Sequence, residues 1–122
     1  MNQTPLPLLP LPAPRLPHHK LLAWHACRDL VLAVRACSLR SAHLRDQAMR
    51  AAQSAALNAA EGAGRVSRAD KARAFAIARA EAVEAAAAVE IALASDECAP
   101  VPAGEVVRLA DRAVALLTGL LR

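Results

Sequence analysis

Aromatic side chains are nearly missing from this chain: Trp24 and Phe75 are the only two, and there is no tyrosine. Readers of single-stranded nucleic acid stack bases on exposed aromatics, so a mechanism of that kind is poorly supplied here. Glycine is also scarce, with four residues, and Gly62-Ala-Gly64 lacks the Gly-Lys-Ser/Thr and the preceding strand of a phosphate loop. Histidine is confined to His18, His19, His25 and His43, and no Glu-x-x-His occurs, which removes the ligand pattern of di-metal helical bundles. Glu81 and Glu84 are then surface or interface charges, and no metal or other cofactor is expected. The three cysteines, Cys27, Cys37 and Cys98, include no CxxC pair. Cys27 and Cys37 would stand about 15 Å apart on one helix, too far to bridge, so all three are read as reduced thiols acting as small apolar residues in a cytoplasmic protein. No apolar run approaches the roughly 18 residues of a membrane span. No Ser/His/Asp or Cys/His arrangement is evident either, and a non-enzymatic role is expected.

What the chain has instead is alanine, 32 of its 122 residues, within a hydrophobic content of 56%. Alanine is the best helix former and a poor strand former, so the fold class is all-α. Alanine also buries few methylenes, each contributing about 0.8 kcal/mol, and a core built from it needs close helix approach or partner subunits. Prolines gather at the start, with six of eight within residues 1–17. These residues are expected to form an extended, disordered tail ahead of one domain over 18–122. The broken apolar stretch does not fit a signal peptide. Its PxxP spacing also fits an aromatic groove on another protein.

Periodicity predicts four helices. The first covers about His18 to Leu39, with Ala23, Cys27, Leu30, Val34 and Cys37 on one face and Trp24 beside them in the core. The second covers about Leu44 to Glu61. Ala48, Ala52, Ala55 and Ala59 give it a narrow face of small residues, while Gln47, Ser54, Asn58 and Glu61 fall within about 60° as a polar line. That line suits a hydrogen-bonded network locking helix register better than a catalytic set. Gly62 is the expected left-handed cap, and Gly64 loosens the turn. Ser67-Arg-Ala-Asp70 resembles a capping box and opens a third helix, about Arg68 to Ser95, with Phe75, Ala78, Ala82, Val89 and Leu93 inward. Pro100 and Pro102 are expected to end it. The fourth helix, about Ala103 to Leu121, carries one apolar line through Val106, Ala110, Ala113, Leu117 and Leu120 and a second through Val107, Val114 and Leu121. That arc is wider than one core stripe requires. Short connections imply an antiparallel up-down-up-down four-helix bundle.

Such a bundle sorts the charge by its ends. Residues 1–79 hold 12 basic and 4 acidic side chains, and residues 80–122 hold 3 and 7. One end collects Arg15, Lys20, Arg65, Arg68, Lys71, Arg73 and Arg122, opposed by Glu61 and Asp70; the other sets Arg40 and Arg45 against Asp96, Glu97 and Glu105. A basic end attracts phosphates through counterion release, with contacts to backbone or shape and little sequence preference. The alternative is a solvated arginine surface.

Gln47, Arg50-Ala51, Ser54, Asn58-x-x-Glu61-Gly62, Gly64-Arg65, Ser67, then Phe75-x-x-Ala78 leading to Glu84 form a recognisable string. It resembles the bacterial four-helix bundle proteins encoded by intervening sequences within 23S ribosomal RNA genes, and the related accessory variability determinants of diversity-generating retroelements. Leu22, Trp24 and Asp29-Leu30 fit the first helix of that family, and the likeness covers about residues 20–121. Glu81 stands where the family usually has serine, and Ala56 and Ala59 replace bulkier aliphatics. The resemblance implies a homopentamer with a basic surface for RNA or DNA and, in the retroelement branch, a reverse transcriptase partner. Two functions follow as expectations. One is an oligomeric nucleic-acid-binding adaptor using Arg65, Arg68, Lys71 and Arg73, helped by Lys20 and Arg122. The other is a structural protein-interaction module that binds no nucleic acid.

Overall fold

The computed structural model describes residues 16–122. The proline-rich tail expected over residues 1–17 lies outside the described residues as far as position 15, and Arg15 with it. Pro17 already belongs to a 3-10 turn, Pro17–Lys20, followed by four helices: α1 (Leu22–Ala36), α2 (Ala42–Gly64), α3 (Arg68–Ala94) and α4 (Pro100–Leu120). Among the described residues there is no strand, and no helix is long and apolar enough to cross a membrane. The helices form a four-helix bundle in which α1 packs on α2 and α4, α3 packs on α2 and α4, and α1 and α3 touch only slightly across the centre.

Several helix ends differ from the sequence expectation, each for a local reason. The first helix is split, because Leu21 is extended (φ −92°, ψ 111°) between the 3-10 turn and α1. His25 Nε2 donates to the His19 carbonyl at 2.8 Å, taking up an acceptor at that break and fixing the Nε2–H tautomer. At the other end α1 stops at Ala36, and Ser38 adopts a left-handed φ of 50°. Helix α2 starts two residues early, capped by Ser41, whose hydroxyl accepts from the Leu44 amide at 3.3 Å.

Gly62 is not a left-handed cap. No glycine among the described residues has positive φ, and α2 runs through Gly62 to Gly64 before Arg65 turns extended. The demand at Gly62 is for space: a Cβ there would stand 2.5 Å from Phe75 Cε1 and 2.6 Å from Cδ1. The aromatic ring of α3 lies directly on the α2 backbone.

Helix α3 begins at Ser67, whose hydroxyl accepts from the Asp70 amide at 3.1 Å. It is ended by Asp96, left-handed at φ 59°, with the Glu97 amide donating back to Ala92 at 2.8 Å. This is the wrap-around closure usually made with glycine. Pro100 and Pro102 do not terminate α3; they lie in the first turn of α4, where an amide would have no helical acceptor.

The core is divided by size. Every buried residue of α2 is alanine or glycine: Ala48, Ala51, Ala52, Ala55, Ala59 and Gly62. Helix α3 adds mostly alanines around Phe75 and Val89. Bulk comes from Leu30 and Val34 of α1 and Val106, Leu109 and Leu117 of α4. Leu93, expected inside, is exposed, and Ala92 takes the inward position. Leu120 and Val107 of α4 and Leu121 just after it are exposed, so part of the wide apolar arc has no partner within one chain.

Gly62→Ala should therefore lower the urea midpoint, with a loss of about 1–2 kcal/mol as overpacking against Phe75 outweighs the gain in helix propensity. Gly104→Ala, at an open helical position, should raise it slightly. Equal effects of the two substitutions would contradict the close approach.

Candidate nucleic-acid interface

The basic residues singled out above gather where α2 stops and α3 starts. Arg65 closes α2: its amide donates to the Glu61 carbonyl at 3.0 Å, and its guanidinium pairs with the Glu61 carboxylate at 3.4 Å, both side chains half exposed. Exposed pairs at this helical spacing contribute little, about 0.3–0.5 kcal/mol, so the pair orients Arg65 without withdrawing it from solvent.

Arg68, in the first turn of α3, donates to the Arg122 carbonyl at 3.2 Å, bringing the last residue of the chain to the α2–α3 turn. Arg73 lies one turn further on and lines a shallow groove with Glu61, Arg65, Asp70, Ala74 and Ile77. Asp70 sits in the first turn of α3, where a carboxylate complements the helix dipole.

Lys71 has a different role. Its ammonium donates to the carbonyls of Gly62 at 3.3 Å and Ala63 at 3.0 Å. The final turn of α2 contains no basic residue, and its last carbonyls have no helical donors. Lys71 supplies them from α3, so its charge serves first as a cap.

Arg65, Arg68, Lys71, Arg73 and Arg122 are thus brought together, with Glu61 and Asp70 among them. Lys20 is exposed at the end of the 3-10 turn, and among the described residues no ion pair joins it to Glu61 or Asp70. The opposite-end arrangement is also partial: the Arg40 amide donates to the Glu97 carbonyl at 3.3 Å, and the Arg45 guanidinium donates to the Leu39 carbonyl at 3.2 Å. These bonds join connections through backbone, without a charge pair.

The polar line of α2 resolves into three separate groups. Gln47 donates to Glu84 of α3 at 3.3 Å, and Arg50 approaches the same carboxylate at 3.9 Å. Asn58 donates to the Ser54 carbonyl at 2.9 Å and hydroxyl at 3.2 Å, within the helix. Glu61 belongs to Arg65. Of these four residues, Gln47 alone ties α2 to α3; Ser54, Asn58 and Glu61 make local contacts.

Sequence reasoning missed an aromatic group. Trp24 is only partly buried, at the edge of the core, with the rings of His18, His25 and His19 at 4.8, 5.1 and 6.2 Å. The signal for it was the His18-His19 pair, obscured by the unforeseen break at Leu21. Burial, then His19 and His25, hold His18 below its ordinary pKa, so its ring adds little positive charge near neutral pH. Arg79 also escaped notice; it donates from Nε to the Thr118 hydroxyl at 2.8 Å and joins α3 to α4. Among the described residues, no group of three or more His, Cys, Asp or Glu side chains is placed to hold a metal ion.

No curated protein matches the chain. A family model described as 23S rRNA-intervening sequence protein matches residues 19–119, spanning all four helices and the whole α2–α3 turn. With a match over that range and a four-helix bundle to fit it, the chain belongs to the 23S rRNA-intervening sequence protein family.

Proposed function

We propose that the chain is a non-enzymatic, cytoplasmic adaptor that binds RNA or DNA through the cationic α2–α3 turn. The bundle is antiparallel, up-down-up-down, and assembles as a homopentamer that sets copies of this turn side by side. The observation that carries the reading is the convergence of Arg65, Arg68, Arg73 and Arg122 on one exposed turn. Lys20 and Lys71 extend the positive field. The contacts are to phosphates, because guanidinium groups match phosphate oxygens and no exposed aromatic stands among them. A reverse transcriptase is the protein partner implied by the likeness to the retroelement branch.

Assembly is supported by large aliphatic side chains left outside the bundle: Val101 is 85%, Leu57 71% and Ile91 54% exposed. The same surfaces favour a second reading, in which the protein binds only other proteins and the arginines are solvated.

Salt dependence separates the two. Nucleic-acid binding predicts retention on generic RNA at low salt, and Arg65→Ala with Arg68→Ala should flatten the slope of log K against log salt by about one to two. Unchanged retention in that variant would remove the site, and no retention by the native chain would favour the protein-only reading. Lys71→Ala should lower the thermal midpoint by uncapping α2, whereas Arg73→Ala should weaken RNA retention and leave the midpoint unchanged; the reverse pattern would contradict the division of roles. Light scattering should give the mass of a pentamer, and the mass of a single chain at high concentration would contradict the assembly.

A further inference from the structure

Cys37 and Cys98 are far apart in sequence and meet at one end of the bundle. Cys37 follows α1, and Cys98 lies in the connection between α3 and α4. Both are buried, at 6% and 7% exposure, within the same apolar cluster. The two connections are held together beside them, since the Arg40 amide donates to the Glu97 carbonyl at 3.3 Å. Each connection is tight: Ser38, next to Cys37, and Asp96, two residues before Cys98, are the two non-glycine residues with left-handed φ among those described. The thiols are free; that of Cys98 donates to the Ala99 carbonyl at 3.4 Å and lies near enough to Cys37 to raise its pKa. Cys27 is the contrast, fully buried along α1.

We propose that Cys37 and Cys98 are a modification site, forming a reversible intramolecular disulfide that staples the α1–α2 connection to the α3–α4 connection. The co-reactant is a small-molecule disulfide such as oxidised glutathione. The Cys98 thiol loses its proton to solvent, and its thiolate attacks one sulfur of that disulfide. The sulfur–sulfur bond breaks, one glutathione thiolate leaves, and a mixed disulfide remains on Cys98. Cys37 then ionises and attacks the Cys98 sulfur, expelling the second glutathione thiolate. The two cysteines together lose two electrons and two protons, and the glutathione disulfide is reduced to two thiols.

Order and rate follow from the surroundings. Burial first, and the neighbouring Cys98 second, push the Cys37 thiol up to about 12. Only the thiolate reacts, so closure is slow near neutral pH and speeds up as pH rises. Capping Cys98 removes its charge from beside Cys37 and leaves burial as the main influence keeping Cys37 protonated, which favours Cys37 as the second attacker. The crosslink encloses α2 and α3, a long loop of the kind whose closure most restricts the unfolded chain.

The test treats the full chain with oxidised glutathione from pH 7 to pH 9, followed by intact-mass measurement and non-reducing tryptic mapping. Trypsin places the three cysteines in separate peptides: 21–28 for Cys27, 36–40 for Cys37 and 80–108 for Cys98. The expected product has lost two hydrogens, links 36–40 to 80–108, forms faster at pH 9, and melts about 10 °C higher than the reduced chain. Cys27→Ser should give the same product, and Cys98→Ser should give no intramolecular link. Links between chains, a link through Cys27, glutathione retained on either cysteine, or intact thiols after prolonged exposure at pH 9 would each overturn the proposal.

Discussion

The close approach of α2 and α3 is the constraint on which the rest of the structure depends. Residues on the inward face of α2 are alanines and one glycine, and α3 answers with alanines and a single aromatic ring. Small side chains let backbones come near enough for dispersion contacts to run along the whole length of both helices. Phe75 marks the limit, resting where even a methyl group at Gly62 would collide. Because α2 and α3 contribute so little volume, α1 and α4 must supply the leucines and valines that fill the remaining space. Among the described residues, no polar or charged side chain is buried, so this packing is apolar throughout.

That contact also fixes the charged turn. Phe75 on Gly62 holds the start of α3 over the end of α2, and Lys71 reaches back to the carbonyls of the same glycine and of Ala63. Ser67 and Asp70 organise the α3 terminus. Arg65, Arg68 and Arg73 are left on a turn whose helix ends are capped by Lys71 and Ser67, and their guanidinium groups make only exposed contacts. A cation on a rigid turn loses less freedom on meeting a phosphate than one on a mobile loop. The same turn thus ends one helix, begins the next and presents arginine.

Helix number and inward faces were legible in the sequence because alanine content and 3.6-residue spacing point the same way. Ser67 was readable as a cap because its hydroxyl acts locally. Gly62 was misread: the rule that glycine after a helix adopts a left-handed turn competed with a tertiary contact to Phe75, thirteen residues away, that no local pattern reveals. Pro100 and Pro102 carry a similar ambiguity, since proline excluded from a helix interior is also well suited to a helix start, and the true stop was Asp96 in a conformation usually given to glycine. Within the candidate site, the clustering of arginines followed from topology. The capping role of Lys71 did not, because it depends on which carbonyls lie within reach of its side chain. The continuous network drawn through Gln47, Ser54, Asn58 and Glu61 assumed that residues on one helix face bond to each other, whereas each took a different partner.

Comparing Ala55→Leu with Leu57→Ala by equilibrium urea unfolding tests the small-residue interface most directly. Ala55 is fully buried between the helices, and Leu57, two residues on and on the opposite face of α2, is 71% exposed. The account predicts that adding methylenes at Ala55 lowers stability by about 1–3 kcal/mol, and that removing them at Leu57 costs under about 0.5 kcal/mol in the unassembled chain. Stability unchanged or raised by Ala55→Leu would show that α2 and α3 do not need small side chains between them.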